Sequence, residues 1–238
     1  MGIIVAIGGY ESESEKEQTF STPIEIDKEI VKLTGKKRVN ALFIPTASKD
    51  KPSYINAFNK VYGDQLGASV DALLLHGEKM SKMAIQDKID WADVIYVGGG
   101  NTLMMIRKWK YFGVDQMLKR AYEQGKVLCG ASAGSICWFD YGVSDSLHFY
   151  DDKTTKYIKV SGLGILPGVH CPHFGSKLWD KGFRTKGMKK IMKRSKGKCL
   201  AIPDGAAVII KDGEMTSMGI APSSQCWWEK GEWKSSLV

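Results

Sequence analysis

The sequence predicts an α/β fold: a doubly wound, mostly parallel sheet with helices on both faces and C-terminal β-hairpins on the sheet edge. Short apolar runs rich in β-branched residues alternate with stretches of helical periodicity in the first half of the chain. These runs are apolar throughout, which is typical of parallel strands covered on both faces. Alternating strands and helices with right-handed crossovers build a doubly wound sheet. Because no repeat or Pro/Ser-rich linker divides the chain, we expect a single domain over residues 1–238.

Each predicted element follows from its local pattern. Apolar runs predict strands at Ile3–Ile7, Val39–Ile44, Ser69–Leu75, Val94–Val97 and Lys126–Cys129. Helical periodicity between them predicts helices at Pro23–Leu33, Ser53–Leu66, Met80–Trp91 and Thr102–Gln124, the last broken near Tyr111. After about Tyr157, short runs predict closely spaced strands at Ile158–Val160, Cys199–Ile202, Val208–Ile210, Met215–Met218 and Cys226–Trp233. Turn signals such as Asp212-Gly213 join them, which favours hairpins.

Composition excludes several classes of protein. Apolar residues make up 43% of the chain and charged residues 25%, which is ordinary for a globular protein and excludes a disordered one. No apolar run approaches the ~20 residues of a membrane span, and the first nine residues lack the features of a signal peptide. The five cysteines form no CxxC pair, and the four histidines show no zinc-binding spacing. We expect a cytoplasmic protein with reduced cysteines, no membrane partner and no metal or other cofactor.

The net charge of +8 is concentrated in one segment. Residues 177–198 contain ten Lys or Arg and one acidic residue, whereas the rest of the chain is close to neutral. Met188, Ile191 and Met192 give this segment an apolar stripe, which predicts an amphipathic helix with a solvated basic face. Attraction of small acidic substrates is an alternative. No nucleic-acid partner is expected, because one basic helix without a recognised binding motif is a weak signal.

A serine motif follows the fifth predicted strand. Gly130-Ala131-Ser132-Ala133-Gly134 matches G-x-S-x-G, and a helical pattern over Ser135–Phe139 follows it. A sharp strand-to-helix turn needs small neighbours because its backbone is strained, and it holds the serine hydroxyl above the sheet. The amide of Ala133 then lies at a helix N-terminus, where it can donate to an oxyanion. This context predicts a nucleophile at Ser132, with a merely tight turn as the alternative.

Two other predicted strands end in glycines at the same edge of the sheet, where ligands of such sheets bind. The first ends in Gly8-Gly9, and the fourth ends in a turn over Gly98–Thr102. The turn matches neither a dinucleotide-binding nor a Walker sequence, although phosphate binding and plain tight packing remain alternatives. We expect the amide of Gly100 to supply a second oxyanion donor beside Ser132.

A serine hydroxyl needs a base to take its proton, so one histidine must lie near it. His76 follows an apolar strand and is interpreted as structural, while His148 lies in an acidic, aromatic loop. His170 and His173 both lie in a short strand and turn over residues 168–175. Spacing alone does not choose between the last two.

Four motifs in order over residues 94–205 resemble the dipeptidase E and cyanophycinase family of serine peptidases. They are Gly-Gly-Gly-Asn-Thr, Gly-x-Ser-Ala-Gly, Pro-His-Phe and a Pro-acid-Gly turn. The resemblance implies a sheet like that of class I glutamine amidotransferases, with serine where those enzymes have cysteine. It also implies that the Pro-His-Phe histidine, His173, is the general base.

The third member of a catalytic triad is left open between two aspartates. Asp204 matches a position where members of the family usually carry glutamate, and Asp145 resembles another acidic position proposed for the role. Either carboxylate could orient an imidazole. We expect Asp204, although an aspartate before glycine is also common in ordinary turns. An α/β-hydrolase esterase would require Asp145, because its triad runs in the order serine, acid, histidine.

The resemblance implies a serine peptidase for small peptides with an aspartyl residue at the cleaved bond. The substrate is either an Asp-X dipeptide or the β-aspartyl-arginine link of cyanophycin. A carboxylate on the substrate suggests Arg184 as a bidentate clamp, with Lys177 and Lys181 next, whereas Trp179 and Phe183 are expected to pack.

Other functions remain open at this point. A small-acyl esterase or amidase would use the same site, and a non-enzymatic anion- or RNA-binding protein would use residues 177–198. A homodimer is one interpretation of Trp227-Trp228 in the C-terminal hairpin.

Overall fold

The computed structural model describes residues 1–10, 23–77, 80–176 and 182–238. In these ranges the strands, numbered in chain order, are β1 (Ile3–Ile7), β2 (Asn40–Ile44), β3 (Ser69–Ala72), β4 (Val94–Val97), β5 (Val127–Ala131), β6 (Phe139–Ser144), β7 (Ile158–Ser161), β8 (Leu166–Cys171), β9 (Cys199–Ala201), β10 (Ala206–Lys211), β11 (Glu214–Gly219), β12 (Ser224–Glu229) and β13 (Glu232–Leu237). The α-helices are α1 (Ile24–Leu33), α2 (Pro52–Phe58), α3 (Lys82–Trp91), α4 (Thr102–Phe112), α5 (Val114–Glu123), α6 (Ala133–Ile136) and α7 (Phe183–Met192).

The first sheet confirms the predicted α/β class. Its spatial order is β11-β10-β1-β5-β4-β2-β3, and the five strands from β1 to β3 in this order run parallel. Alternate residues of β1 face opposite sides of the sheet. Ile4 and Ala6 belong to a core cluster with residues of α3, α4 and α5, whereas Val5 and Ile7 belong to one with residues of α1 and α2. Helices therefore cover both faces, and the β10–β11 hairpin forms one edge.

A second sheet adds to the predicted architecture. Its order is β13-β12-β9-β8-β6-β7, with β6, β8 and β9 parallel. The sequence analysis assigned residues 135–139 to a helix, but α6 ends at Ile136 and β6 begins at Phe139. A segment this short carries little periodicity of its own, so its pairing with the distant strands β7 and β8 decides its conformation. The largest buried cluster contains residues of both sheets.

Several boundaries differ locally from the prediction. The helix expected to end at Leu66 is α-helical only to Phe58 and continues as a π-helix over Asn59–Gln65. The long helix predicted to break near Tyr111 breaks at Gly113, whose φ of 78° is the left-handed conformation that ends helices. The predicted basic helix is present as α7.

The expectations about burial are met for the cysteines but not for Phe183, which was expected to pack and is 46% exposed. All five cysteines are buried, as their apolar surroundings predicted. Within the described ranges, no helix combines the length and the apolar character needed to cross a membrane.

Candidate active site

The turn after β5 is strained, as the serine motif predicts. Ser132 has φ 55° and ψ −114°, a conformation that is costly for a residue with a side chain. Its amide donates to the carbonyl of Ile7 at 3.1 Å, which ties the turn to β1. A Cβ at Gly134 would collide with the carbonyl oxygen of Val97. The small residues around Ser132 therefore allow α6 to start directly beneath it.

A chain of hydrogen bonds joins Ser132 to the second sheet. The hydroxyl of Ser132 lies 2.8 Å from Nε2 of His173, and Nδ1 of His173 lies 2.5 Å from Oδ1 of Asp204. Because a carboxylate accepts, Nδ1 carries the proton, and Nε2 is left to accept from the serine. The parallel neighbours β8 and β9 lead into His173 and Asp204, so the carboxyl ends of strands from both sheets meet here.

The surroundings of Asp204 keep it ionised. Burial by itself raises the pKa of this carboxyl, but hydrogen bonds from His173 and Ser176 and the charges of His173 and Arg184 more than offset it. The pKa of Asp204 is therefore lowered. The side chains of His173 and Asp204 are 14% and 13% exposed, so the pair is shielded from solvent but accessible from the surface.

Gly9 fits tightly against this pair. A Cβ at Gly9 would overlap the imidazole of His173 and Oδ1 of Asp204. The same loop also holds the backbone of both partners: the carbonyl of Gly8 accepts from the amide of His173, and that of Gly9 accepts from the amide of Gly205, each at 3.1 Å. The end of β1 therefore sets the position of the histidine and the aspartate together.

The glycine turn after β4 lies beside the serine. A Cβ at Gly99 would be 3.5 Å from Cβ of Ser132. The next residue, Gly100, has φ 136°, and a Cβ there would collide with the carbonyl oxygen of Ala47. Among the described residues, neither the Gly100 amide nor the Ala133 amide donates to another backbone group outside regular helices and strands. Ala133 thus follows Ser132 in the chain, and Gly100 follows Gly99, the residue that lies beside Ser132.

His170 lies in a different environment from His173. It is fully buried, with Nδ1 2.8 Å from the carbonyl oxygen of Leu200 and Nε2 2.8 Å from the hydroxyl of Ser135. Burial lowers its pKa to about 3, which the hydrogen bond to Leu200 offsets only in part. The structure therefore resolves the choice that spacing left open, because His173 and not His170 contacts Ser132.

Arg184 and Asp145 form a pair of their own. Nη2 of Arg184 lies 3.0 Å from Oδ2 of Asp145, and the guanidinium lies over the ring of Tyr157 at 4.7 Å. Arg184 is 2% exposed, whereas the side chain of Asp145 is 44% exposed. Asp145 thus contacts Arg184, and Asp204 contacts His173. The other clamp residues considered, Lys177 and Lys181, lie outside the described residues, as does Trp179.

Three lysines of the basic segment pack against the C-terminal hairpin. The ammonium groups of three lysines lie over tryptophan rings at 4.8 to 5.5 Å, in the pairs Lys189–Trp233, Lys193–Trp228 and Lys198–Trp227. Cation–π contacts of this kind stabilise a surface modestly. Part of the positive charge therefore has a structural role.

A model of peptidase family S51 matches residues 5–218. The chain belongs to peptidase family S51. Curated proteins similar to this chain are named as peptidases. The uncharacterized peptidase YgaJ of Bacillus subtilis strain 168 is 31% identical over 208 residues, which cover 86% of this chain and 81% of that protein. Peptidase E of Shewanella denitrificans is 30% identical over 151 residues, covering 62% of this chain and 59% of the relative.

Solved structures of similar proteins share the fold. A putative peptidase E protein from Listeria monocytogenes EGD-e superposes with a TM-score of 0.66 at 20% identity, covering 93% of this chain and 100% of that one. A peptidase from an acI-B1 actinobacterium superposes with a TM-score of 0.70 at 17% identity, covering 100% of this chain and 97% of that one. The α/β fold of this S51 peptidase is therefore shared with peptidase E proteins.

The site of this S51 peptidase includes residues that the sequence did not reveal. Gly9 was recognisable as a strand-end glycine, but nothing in the sequence indicated its contact with His173 and Asp204. Tyr54, which bonds to the amide of Gly99, carried no signal because it is one tyrosine on an amphipathic helix. The described part of the chain contains no group of three or more His, Cys, Asp or Glu side chains arranged to hold a metal ion.

Proposed function

We propose that this chain is a serine peptidase that hydrolyses small peptides, in particular dipeptides with an N-terminal aspartate. One observation carries the proposal: the hydrogen-bonded chain from Ser132 through His173 to Asp204 at the edge where the two sheets meet. A serine, an imidazole and a carboxylate in this order form the arrangement that activates a serine hydroxyl. Membership of family S51 supports peptide hydrolysis as the reaction.

In the proposed first half-reaction, Oγ of Ser132 attacks the scissile carbonyl carbon while Nε2 of His173 takes its proton. The carbonyl π electrons move onto oxygen, and the amides of Gly100 and Ala133 face the oxyanion. His173 then protonates the amine as the C–N bond breaks, which leaves an acyl-enzyme. In the second half, water attacks the ester, gives a proton to His173, and Ser132 regains that proton as the acid leaves.

Asp204 holds His173 in the required tautomer. Its hydrogen bond keeps the proton on Nδ1, so Nε2 is available as a base, and its charge stabilises the imidazolium that forms. The lowered pKa of Asp204 supports this role, because the carboxylate stays charged throughout the neutral range.

Arg184 is the proposed clamp for the substrate carboxylate. Its guanidinium is already bonded to one carboxylate, that of Asp145, and its charge reaches Asp204. Asp145 is much more exposed than Arg184, so a substrate carboxylate arriving from solvent can share or replace this contact. A guanidinium binds carboxylates with two parallel hydrogen bonds, which would select an aspartyl side chain.

Hydrolysis of a dipeptide panel tests the reaction. The panel contains Asp-X, Glu-X, Ala-X, β-Asp-Arg and N-acylated Asp-X. It is run beside an aryl ester, with Ser132→Ala and His173→Ala as inactive controls. We expect Asp-X to be cleaved by the wild type and by neither variant. Cleavage of β-Asp-Arg alone would indicate a cyanophycinase-like peptidase, and cleavage of aryl esters alone an esterase or amidase. No hydrolysis, together with salt-dependent RNA binding that survives Ser132→Ala, would contradict an enzymatic function.

A matched pair of variants tests the clamp. Arg184→Ala should remove the preference for Asp-X over Ala-X, and Arg184→Lys should restore it only in part because an ammonium lacks the planar fork. Lys186→Ala is the control, since Lys186 is an exposed cation on the same helix. An unchanged preference in folded Arg184→Ala would place the clamp elsewhere.

A further inference from the structure

A buried tyrosine lies beneath the glycine turn that faces Ser132. Tyr54, on α2, is 1% exposed, and its hydroxyl oxygen accepts a hydrogen bond from the amide of Gly99 at 3.1 Å. A Cβ at Gly98 would lie 2.7 Å from Cε1 of Tyr54, so the turn passes in contact with the ring. The ring itself packs edge-on against Phe43, with centroids 5.0 Å apart. These contacts fix the position of the Tyr54 hydroxyl relative to the glycine turn.

The other side of the turn is anchored as well. The amide of Asn101 donates to the carbonyl of Ala47 at 2.9 Å, and the close approach of Ala47 leaves room for no side chain at Gly100. The amides before and after Gly100 are thus both bonded to the protein. Two fixed neighbours leave the peptide plane between them little freedom, so they determine the direction of the Gly100 N–H.

We propose that Tyr54 is a positioning residue for the oxyanion site, and that its hydroxyl holds Gly99 so that the Gly100 amide faces the oxygen of the substrate carbonyl. This role rests on the proposed function. Because the Tyr54 hydroxyl bonds to the amide of Gly99, it acts through the backbone of the turn. A donor misplaced by a fraction of an ångström loses much of its effect on the transition state.

Tyr54 belongs to a network of three tyrosine hydroxyls. It lies 2.7 Å from the hydroxyl of Tyr10, which lies 3.0 Å from that of Tyr96. Burial raises the pKa of Tyr54 to about 12 and those of Tyr10 and Tyr96 well above their usual value. All three are therefore neutral at physiological pH. Replacing Tyr54 by phenylalanine would leave the partly buried Gly99 N–H without its protein acceptor, and the turn would lose the bond that fixes it on this side.

Two phenylalanine variants separate positioning from general stability. Tyr54→Phe removes the hydroxyl that bonds to the turn. Tyr96→Phe removes a buried hydroxyl of the same network that bonds to Tyr10. With the best peptide of the dipeptide panel, we expect kcat of Tyr54→Phe to fall about 10- to 100-fold with little change in KM. We expect Tyr96→Phe to retain kcat within about threefold, since the bond to Gly99 remains.

Amide hydrogen exchange gives a readout that does not depend on the substrate. The Gly99 amide should exchange at least about tenfold faster in Tyr54→Phe than in the wild type, because its acceptor is lost, and should be unchanged in Tyr96→Phe. Thermal unfolding of both variants verifies that each is folded.

The outcomes distinguish this role from the proposed function. An active wild type with Tyr54→Phe at full kcat would overturn the role of Tyr54 alone. Equal losses of kcat in the two variants would also overturn it, since the effect would then be one of stability. A wild-type chain that hydrolyses no peptide would contradict the proposed function, and with it any role of Tyr54 in the reaction.

Discussion

The structure contains two serine–histidine pairs. The two serines are three residues apart in sequence, and so are the two histidines. Ser132 pairs with His173 at the surface, and Ser135 pairs with His170 in the core. In both, the serine Oγ lies 2.8 Å from the histidine Nε2. The partner of Nδ1 differs: the outer histidine donates to the carboxylate of Asp204 and the inner one to the carbonyl of Leu200. The two pairs therefore differ in the group that binds Nδ1 of the histidine.

The two pairs differ in the group that binds Nδ1 of the histidine and in their access to solvent. A carboxylate stabilises the charged imidazolium, whereas a carbonyl in an apolar environment does so weakly. Burial lowers the pKa of His170 to about 3. At neutral pH His170 therefore accepts a proton far less readily than a general base must. The inner pair holds the start of α6 in place, because Ser135 also contacts the carbonyl of Ser132 at 2.8 Å.

The two pairs also differ in backbone conformation. Ser132 and His173 have φ values of 55° and 53°, both in the left-handed region. Ser135 and His170 lie within α6 and β8 in regular conformations. Strained backbone at the outer pair alone is consistent with a functional site, since such strain is retained where the surrounding structure compensates it.

Serine replacements should give the largest contrast between the two pairs. Ser132→Ala should lower kcat by at least about 10⁴-fold, because it removes the nucleophile. Ser135→Ala should lower kcat by less than about tenfold and mainly reduce the free energy of unfolding, since it removes a buried hydrogen bond. Steady-state kinetics on the best peptide and chemical denaturation provide the two readouts. Comparable kcat losses would show that the inner pair takes part in the reaction.

The third partner is tested by Asp204→Asn, for which we expect a fall in kcat of about 10³- to 10⁴-fold. Asparagine at this position can present its NH₂ group to Nδ1 and favour the wrong histidine tautomer. Asp145→Asn is the matched control, because Asp145 contacts Arg184 and not His173. With Ala-X as substrate, the control should keep its kcat. The reverse result would assign the third triad position to Asp145.

The tight fit at Gly9 gives a smaller expected effect. Gly9→Ala places a methyl group where His173 and Asp204 lie, so the pair must move, and we expect kcat to fall about 100-fold. Gly63→Ala is the control, since a Cβ there meets Val70 at an ordinary 3.5 Å. An unchanged kcat in Gly9→Ala would show that the backbone at the end of β1 can move to accommodate the methyl group without displacing His173 or Asp204.

The smallest expected effect concerns the pH dependence of stability. Below its ordinary pKa of 6.5, His170 binds a proton in the unfolded chain but not in the folded one until about pH 3. The free energy of unfolding should therefore be highest above pH 6.5 and should fall by up to about 1.4 kcal/mol per pH unit below it from this group alone. His170→Asn keeps a donor for Leu200 and should flatten this dependence in denaturant titrations between pH 4 and 7. An unchanged slope would contradict neutral burial of His170.

The fold of the first half was largely predictable from local sequence. Strands β1 and β4 match their predicted bounds, since continuous apolar runs identify buried parallel strands. In the second sheet β7 and β9 were predicted, but β6 was not, because it is set by pairing with β7 and β8, with partners up to 28 residues further along the chain. Short strands of this kind carry little local signal.

The candidate site likewise has a part that the sequence predicted and a part that only the tertiary structure shows. The motifs at strand ends pointed to Ser132 as the candidate nucleophile and to Gly100 and Ala133 as candidate donors, because small residues at such turns carry a local signature. The resemblance to the dipeptidase E and cyanophycinase family pointed to His173 and Asp204. Asp204 was expected, but only the tertiary structure shows its contact with His173. The pairing of Arg184 with Asp145, the close approach of Gly9 to the histidine and the bond from Gly99 to Tyr54 likewise appear only there. Each of these contacts joins residues far apart in sequence, and chain spacing does not encode how distant strand ends meet.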